Sequence, residues 1–143
     1  PEPADFMRIA ERKSGLELDW YKEYWINSTK TIDYAIDSLW EDNGTTKIRL
    51  KRVGMMPMPI DLSISFKDGT SEMHNIPLNL MYGYKLSESA SEKIVNEEAW
   101  RWTHPTYILS VNKKLTEITK VEIDATKRMA DISRKNNLLE LKW

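Results

Sequence analysis

The sequence predicts a mainly β protein, an antiparallel, immunoglobulin- or fibronectin-like β-sandwich of about seven strands that is preceded by two short α-helices. Residues 1–28 carry apolar side chains at helical spacing, whereas residues 29–143 contain several short stretches in which apolar and polar side chains alternate. Short strands without helices between them are typical of a sandwich. We therefore expect a helical segment at 1–28 and a sandwich domain at 29–143.

The first predicted helix begins near Pro3, a residue that fits the first turn of a helix. Phe6, Ile9 and Ala10 recur at i, i+3 and i+4 spacing and define an apolar face. Gly15 follows this pattern and is suited to the left-handed position that ends a helix.

A second short helix is predicted after Asp19, which we expect to be its N-cap. Trp20, Tyr21, Tyr24 and Trp25 occupy its two turns and form i, i+4 aromatic pairs. Two short helices cannot bury so broad an aromatic surface, so we expect this surface to face a larger body.

The alternating stretches predict the strands of the sandwich. They are residues 31–37, 46–53, 60–66, 70–76, 106–111 and 118–124, with a further short strand around 128–132. The sequence EDNG at 41–44 predicts a turn, and KDG at 67–69 predicts a hairpin because Asp-Gly is favoured in tight turns.

The stretch GMMPMPIDL, residues 54–62, precedes one of these strands. Pro57 and Pro59 cannot donate hydrogen bonds to a sheet, so they indicate the point at which the chain enters a strand. Met55, Met56 and Met58 permit two interpretations, an adaptable ligand surface or packing in the core and against a neighbouring domain. We favour packing.

The polar segment 85–98 is predicted to be an exposed loop or a short helix. Trp100 and Trp102 follow it and would lie on one face of an extended chain. Exposed tryptophans on a sandwich can stack on sugar rings, so an exposed aromatic contact at Trp100 and Trp102 indicates a carbohydrate-binding module as one alternative. Packing in the core or in an interface is the other interpretation.

Composition limits the partners and the chemistry. Twenty-one basic and 22 acidic residues give a net charge of −1, so we expect no nucleic-acid partner. The basic residues Lys47, Arg49, Lys51 and Arg52 are interpreted as the solvated face of a strand. No apolar run is long enough to span a membrane, and the absence of cysteine excludes disulfides and thiolate zinc sites.

Catalytic motifs are missing from the sequence. The two histidines, His74 and His104, belong to no H-E-x-x-H motif, and we expect both to be structural or on the surface. There is no G-x-S-x-G elbow and no glycine-rich phosphate loop. We therefore predict a non-catalytic module without a cofactor of its own.

The sequence DFMRIAERKSGLELDWYKEYW, residues 5–25, resembles the last helices of the catalytic domain in aminopeptidase N-like zinc metallopeptidases. The family's segment has the form F-x-x-x-x-E-x-x-S-G-x-x-L-x-W. The matching residues are Phe6, Glu11, Ser14, Gly15, Leu18 and Trp20. The later blocks, among them WINSTKTIDYAI, IPLNLMYG and WRWTHPTY, resemble the C-terminal sandwich domain of bacterial members in the same order.

The resemblance implies a C-terminal part of such an enzyme, in which the sandwich braces the catalytic domain and could wall its substrate cleft. The family's single zinc is held by H-E-x-x-H and a later Glu, which are not in this sequence. The zinc and the peptidase activity would therefore belong to an upstream part of the parent protein. The first residue, Pro1, is not Met, which agrees with an excised or mature piece. By the same resemblance we expect a periplasmic or secreted protein.

The partner implied by the resemblance is the protein's own catalytic domain. The residues expected to pack between the domains are Phe6, Ile9, Trp20, Tyr21, Trp25, Met55, Met56 and Met58. An apolar surface without that partner favours self-association. A carbohydrate-binding or freestanding protein-interaction module remains the alternative function.

Overall fold

The computed structural model describes residues 2–84 and 93–143. The chain forms two α-helices and eight β-strands in these ranges, joined by turns and short 3₁₀ helices. The helices are α1 (Pro3–Ser14) and α2 (Asp19–Trp25). The strands are β1 (Tyr34–Asp42), β2 (Thr45–Arg52), β3 (Ile60–Phe66), β4 (Ser71–Ile76), β5 (Ile94–Asn96), β6 (Thr106–Val111), β7 (Ile118–Ile123) and β8 (Leu138–Glu140). The 3₁₀ helices are Asn79–Met81, Leu115–Glu117 and Arg134–Asn136.

The strands form two sheets, in the orders β1-β2-β6 and β5-β4-β3-β7-β8. The second strand is adjacent to the sixth in one sheet, and the third is adjacent to the seventh in the other. This is the strand order of an immunoglobulin- or fibronectin-like sandwich, so the predicted fold class is confirmed. One pair, β4 with β5, is parallel, and here the expectation of a wholly antiparallel fold is wrong. A parallel pair requires a crossover connection, and residues 77–93 lie between these two strands.

The hydrophobic core lies between the sheets and follows the alternation of the strands. In β3, Ile60, Leu62, Ile64 and Phe66 are buried, while the residues between them are partly exposed. The opposite sheet supplies Ile48, Leu50 and Leu109.

The helical segment is attached to the sandwich through a second, smaller cluster. Trp20 packs with Leu78 and Met81, and Leu16 lies against them. The backbone N–H of Glu17 also donates to the carbonyl of Met81 at 3.0 Å. None of the helices in the described ranges is long and apolar enough to cross a membrane.

Both predicted helices are present, and one cap differs from the expectation. Gly15 ends α1 with φ +69°, and its N–H donates to the Glu11 carbonyl at 2.8 Å. Asp19 is the first residue of α2 and not its N-cap, so that prediction is wrong. The backbone N–H of Asp19 donates to the Glu17 carboxylate at 3.2 Å. Glu17, which precedes the helix, thus accepts a hydrogen bond from one of the free N–H groups of the first turn.

Two predicted strands also differ by more than one residue. The strand expected at 31–37 begins at Tyr34 and extends to Asp42, because a bulge between Ile36 and Ser38 interrupts the alternation. The strand expected at 128–132 is wrong, since only Asp131 forms an isolated bridge, with Ile32.

The last strand is β8 instead. The Asp124 carboxylate accepts hydrogen bonds from the backbone N–H groups of Arg128 and Met129, so these groups are not available for a strand at 128–132.

Within the predicted loop or helix at 85–98, residues 94–96 form β5, which corrects that prediction for this part. Residues 85–92 lie outside the described ranges.

Candidate functional site

The residues expected to pack between domains separate into an exposed set and a buried set. Phe6, Ile9, Met55 and Trp25 are exposed by 69%, 61%, 65% and 39%. Their apolar side chains are directed to solvent in this chain.

The other four predicted packing residues are turned inward. Trp20 and Met56 are buried, whereas Tyr21 and Met58 are partly buried. Tyr21 stacks on Trp25 with ring centroids 5.4 Å apart. Half of the predicted inter-domain surface is thus used within the chain, in the packing of α2 and of the sandwich.

The stretch 54–59 is built mainly as an entry into β3. The backbone N–H groups of Gly54 and Met56 donate to the carbonyls of Asp33 and Thr31 at 2.9 and 3.1 Å. The N–H of Met58 donates to the hydroxyl of Tyr34 at 2.9 Å. Only the Met55 side chain extends from this part of the chain into solvent, so packing is the main role of these methionines.

The two tryptophans expected on one exposed face lie in different environments. Trp100 is buried in the core, so the expectation that it is exposed is wrong. Its ring lies edge-on to Tyr34 with centroids 5.3 Å apart, and its Nε1–H donates to the carbonyl of His104 at 2.9 Å. The chain enters a turn directly after Trp100, so the i, i+2 rule for an extended chain does not apply. Trp102 is 41% exposed.

Trp102 forms one wall of an open groove of about 550 Å³ between α2 and the sandwich. We call it the Trp102 groove. The residues that line it include Asp19, Trp20, Glu23, Asn27, Leu80 and Trp102. Asp19 and Glu23 are four residues apart and lie on one face of α2, and Asn27, beyond the end of the helix, donates its amide N–H to Glu23 Oε2 at 3.2 Å. The groove thus combines an aromatic wall, an apolar floor and a row of polar side chains.

Asp19 and Glu23 are the carboxylates that line this groove, and Glu11 and Glu17 lie beside Asp19 outside the lining. Carboxylate oxygens of Glu11, Glu17 and Asp19 lie within 4.8 Å of one another. Lys22 also lines the groove, but across residues 2–84 and 93–143 no lysine or arginine forms an ion pair with Glu11, Glu17, Asp19 or Glu23. The local potential is therefore negative.

His74 is buried and links two strands of the larger sheet. Its Nδ1 lies 2.7 Å from Glu97 Oε1, directly after β5, and its Nε2 lies 3.6 Å from Glu72 Oε2. Lys93 pairs with Glu72, and this hydrogen bond lowers the pKa of the Glu72 carboxyl. These contacts indicate a structural role for His74, as predicted, at the β4–β5 pair.

The partners of His74 are not identified from the sequence. For Glu72 a signal exists, because residues two apart in a strand share a face. Glu97 belongs to the segment expected to be a loop or helix, so nothing in the sequence places it beside His74. His104 is exposed.

A smaller cavity of about 180 Å³ lies near the start of β3. Asn75 and Asp124 line it, and the Asn75 amide donates to Asp61 Oδ1 at 2.7 Å. Asp124 accepts the backbone N–H of Met129 at 2.8 Å and pairs with Arg134 at 3.2 Å. These polar groups hold the connection between β7 and β8 in place.

The basic residues of β2 contact polar partners on neighbouring strands. Arg49 pairs with Asp37 at 2.6 Å, and Lys47 donates to the Ser110 hydroxyl at 2.7 Å. The face is half-exposed and its charge is partly neutralised within the sheet.

No family model matches the chain, and neither a curated protein nor a solved structure is found to be similar to it. Functional inference therefore starts from the residues and their contacts.

Proposed function

We propose that this chain is the non-catalytic C-terminal part of a zinc aminopeptidase-like metallopeptidase, in which the sandwich braces the catalytic domain and walls its substrate cleft. The observation that carries the proposal is the exposed apolar set Phe6, Ile9, Trp25 and Met55. Burying one such side chain contributes roughly 1.5–3 kcal/mol, so a catalytic domain packed on this set would be held firmly.

The residues that resemble the family's segment also act together as one local unit, which supports the proposal. Gly15 ends α1, and the Glu11 carboxylate accepts the N–H of Leu18 at 3.0 Å. The Ser14 hydroxyl accepts the N–H of Leu16 at 3.2 Å. The indole of Trp20 donates to the Glu17 carbonyl at 2.8 Å. These bonds fix the angle between α1 and α2, and with it the position of the exposed apolar side chains.

The carbohydrate-binding alternative is weakened by the burial of Trp100, because a sugar platform at 100 and 102 needs both rings at the surface. Of these two tryptophans, only Trp102 is exposed. A protein-interaction role remains compatible with the exposed apolar set.

The reading frame that encodes this chain tests the proposal directly. We expect H-E-x-x-H and a later zinc-ligand Glu upstream of Pro1 in the same frame. A frame without a peptidase motif would overturn the proposal.

A biochemical test uses the longer polypeptide and matched variants. Replacing Phe6 and Met55 with serine should lower its thermal stability, because both side chains would leave an apolar interface. Tyr82→Ser is the control, since Tyr82 is 83% exposed and lies outside the proposed interface. Equal effects of the control and of the Phe6 and Met55 changes would contradict the bracing role.

A further inference from the structure

We propose that the Trp102 groove is a binding site for a polypeptide segment that presents an arginine side chain next to an apolar one. The proposal goes beyond the bracing function, and its failure would leave that function untouched. It rests on the geometry of the groove, on the exposure of Trp102 and on the charge of the α2 face.

Both walls of the groove are fixed in place before a ligand arrives. The backbone N–H of Trp102 donates to Asn79 Oδ1 at 3.2 Å, and the neighbouring Trp100 is anchored in the core. On the other side, α2 is held by Trp20, which packs with Leu78 and Met81. A ligand therefore meets a preformed site, which reduces the entropy lost on binding.

The aromatic wall and the carboxylates together suit a guanidinium group. The face of an indole attracts a cation, and the planar guanidinium also stacks on it. Asp19 and Glu23 lie one turn apart along the same groove and can accept hydrogen bonds from a guanidinium. A lysine would supply the charge but not the planar stacking.

Charge favours a cationic ligand over a neutral one. Two carboxylates and one lysine line the groove, and the carboxylates of Glu11 and Glu17 lie beside Asp19. Within the described parts of the chain these acidic groups have no basic partner in an ion pair. A neutral sugar gains no electrostatic attraction from this negative potential, whereas the positive charge of an arginine is attracted to it.

The floor of the groove adds an apolar contact. Trp20 and Leu80 line it, and Leu80 is only partly buried. An apolar side chain beside the arginine would cover this floor and exclude water from the charged contacts.

Nuclear magnetic resonance of the ¹⁵N-labelled chain tests the proposal with the peptide acetyl-Leu-Arg-Leu-amide. The Trp102 indole N–H signal, assigned by its loss in Trp102→Phe, should shift with a Kd in the range of about 0.1–10 mM. The matched peptide with citrulline in place of arginine keeps the shape and loses the charge, and it should bind roughly 5- to 30-fold more weakly. Raising the salt from about 50 mM to about 500 mM should weaken binding of the arginine peptide only.

Three variants separate the site from the rest of the molecule. Trp102→Ala should abolish the shifts of the groove residues, and Glu23→Gln should weaken binding several-fold. Trp143→Ala is the control, because Trp143 is 58% exposed and its indole donates to Ile118, away from the groove. Circular dichroism checks that each variant is folded.

Three results would overturn the proposal. One is the absence of a Trp102 shift at the highest peptide concentration. Another is equal binding of the arginine and citrulline peptides. The third is a Trp102 shift with cellohexaose or chitohexaose but not with the arginine peptide, which would identify the groove as a carbohydrate site.

Discussion

At the scale of single residues, Tyr34 makes contacts with several separate parts of the chain. Its hydroxyl donates to the Met58 carbonyl at 3.3 Å and accepts the Met58 N–H at 2.9 Å. Its backbone N–H donates to Asp131 Oδ2 at 2.9 Å, and its ring contacts Trp100. Burial raises the pKa of the Tyr34 phenol to about 12. One residue thus links the β3 entry and the core through its side chain and the β7–β8 connection through its backbone.

Tyr34 should make the stability depend on pH in the alkaline range. Below pH 10 the Tyr34 phenol is neutral in both the folded and the unfolded chain, so its full contribution to the free energy of unfolding is present. Above pH 10 the phenol ionises first in the unfolded chain, where its pKa is about 10. The contribution is then lost between pH 10 and 12, by up to roughly 2–3 kcal/mol, because one pKa unit corresponds to about 1.4 kcal/mol. Urea unfolding of the protein at pH 8 and pH 11 measures this loss.

The variant Tyr34→Phe isolates the contribution. It should lose about 1–2 kcal/mol at pH 8, because the Met58 N–H is left without its acceptor, and show a smaller further loss at pH 11. Tyr82→Phe, at an exposed position, should behave like the unchanged protein. An identical alkaline loss in Tyr34→Phe would show that other groups cause it.

At the scale of elements, the entry into β3 depends on close backbone contact at Gly54. A Cβ at this position would lie 2.3 Å from the Thr31 carbonyl oxygen and 2.7 Å from the Asp33 nitrogen. Both neighbours are backbone atoms, so the two segments would have to separate. The sequence 54–59 is therefore specified by packing as much as by its prolines.

The variant Gly54→Ala should destabilise the protein by about 2 kcal/mol or more, since overpacking here displaces main chain. Gly44→Ala is the matched control in the β1–β2 turn, where φ is +76° and no atom lies within 4 Å of the added Cβ. Its cost should be about 1 kcal/mol, from backbone strain alone. Chemical denaturation measures both, and an equal loss in the two variants would contradict the close-contact explanation.

Elements with a strong local signal were predictable, and those that depend on distant partners were not. The alternation of 60–66 and the turn residues Gly44 and Gly69 correspond directly to β3 and to two hairpins, because their conformations follow from a few adjacent residues. Strands β5 and β8 have three residues each and exist only because they pair with β4 and β7. No local pattern of three residues specifies such pairing.

The same limit applies to the groove. Trp102 could be predicted as an exposed contact, since it is a tryptophan beside a polar segment. Its partners Asp19 and Glu23 are about 80 residues away in the sequence, and only the docking of α2 on Leu78 and Met81 places them opposite Trp102. Asp19 was instead expected to be a helix cap.

At the scale of the whole molecule, the exposed apolar side chains predict self-association of this chain when it is isolated. Light scattering at micromolar concentration should give a mass above that of one chain, because Phe6 and Ile9 expose a continuous apolar face of α1. The double variant Phe6→Lys, Ile9→Lys should be monomeric, since lysine keeps helix propensity and removes the apolar face. Ile108→Lys, at an exposed position on β6, should leave association unchanged. A monomeric mass for the unchanged chain would contradict the prediction.

The order of strands in the two sheets also governs how the chain folds. The hairpins β1–β2 and β3–β4 join neighbouring segments, but β2 pairs with β6 and β3 pairs with β7 across more than fifty residues. Pairings of such long sequence separation form slowly, because a large loop must close before they contribute. During synthesis, β2 cannot complete its pairing with β6 until the chain through Val111 has left the ribosome, and β3 cannot complete its pairing with β7 until the chain through Ile123 has done so. Until then the apolar faces of both hairpins lack their partners, so the order of synthesis is part of how this protein reaches its native state.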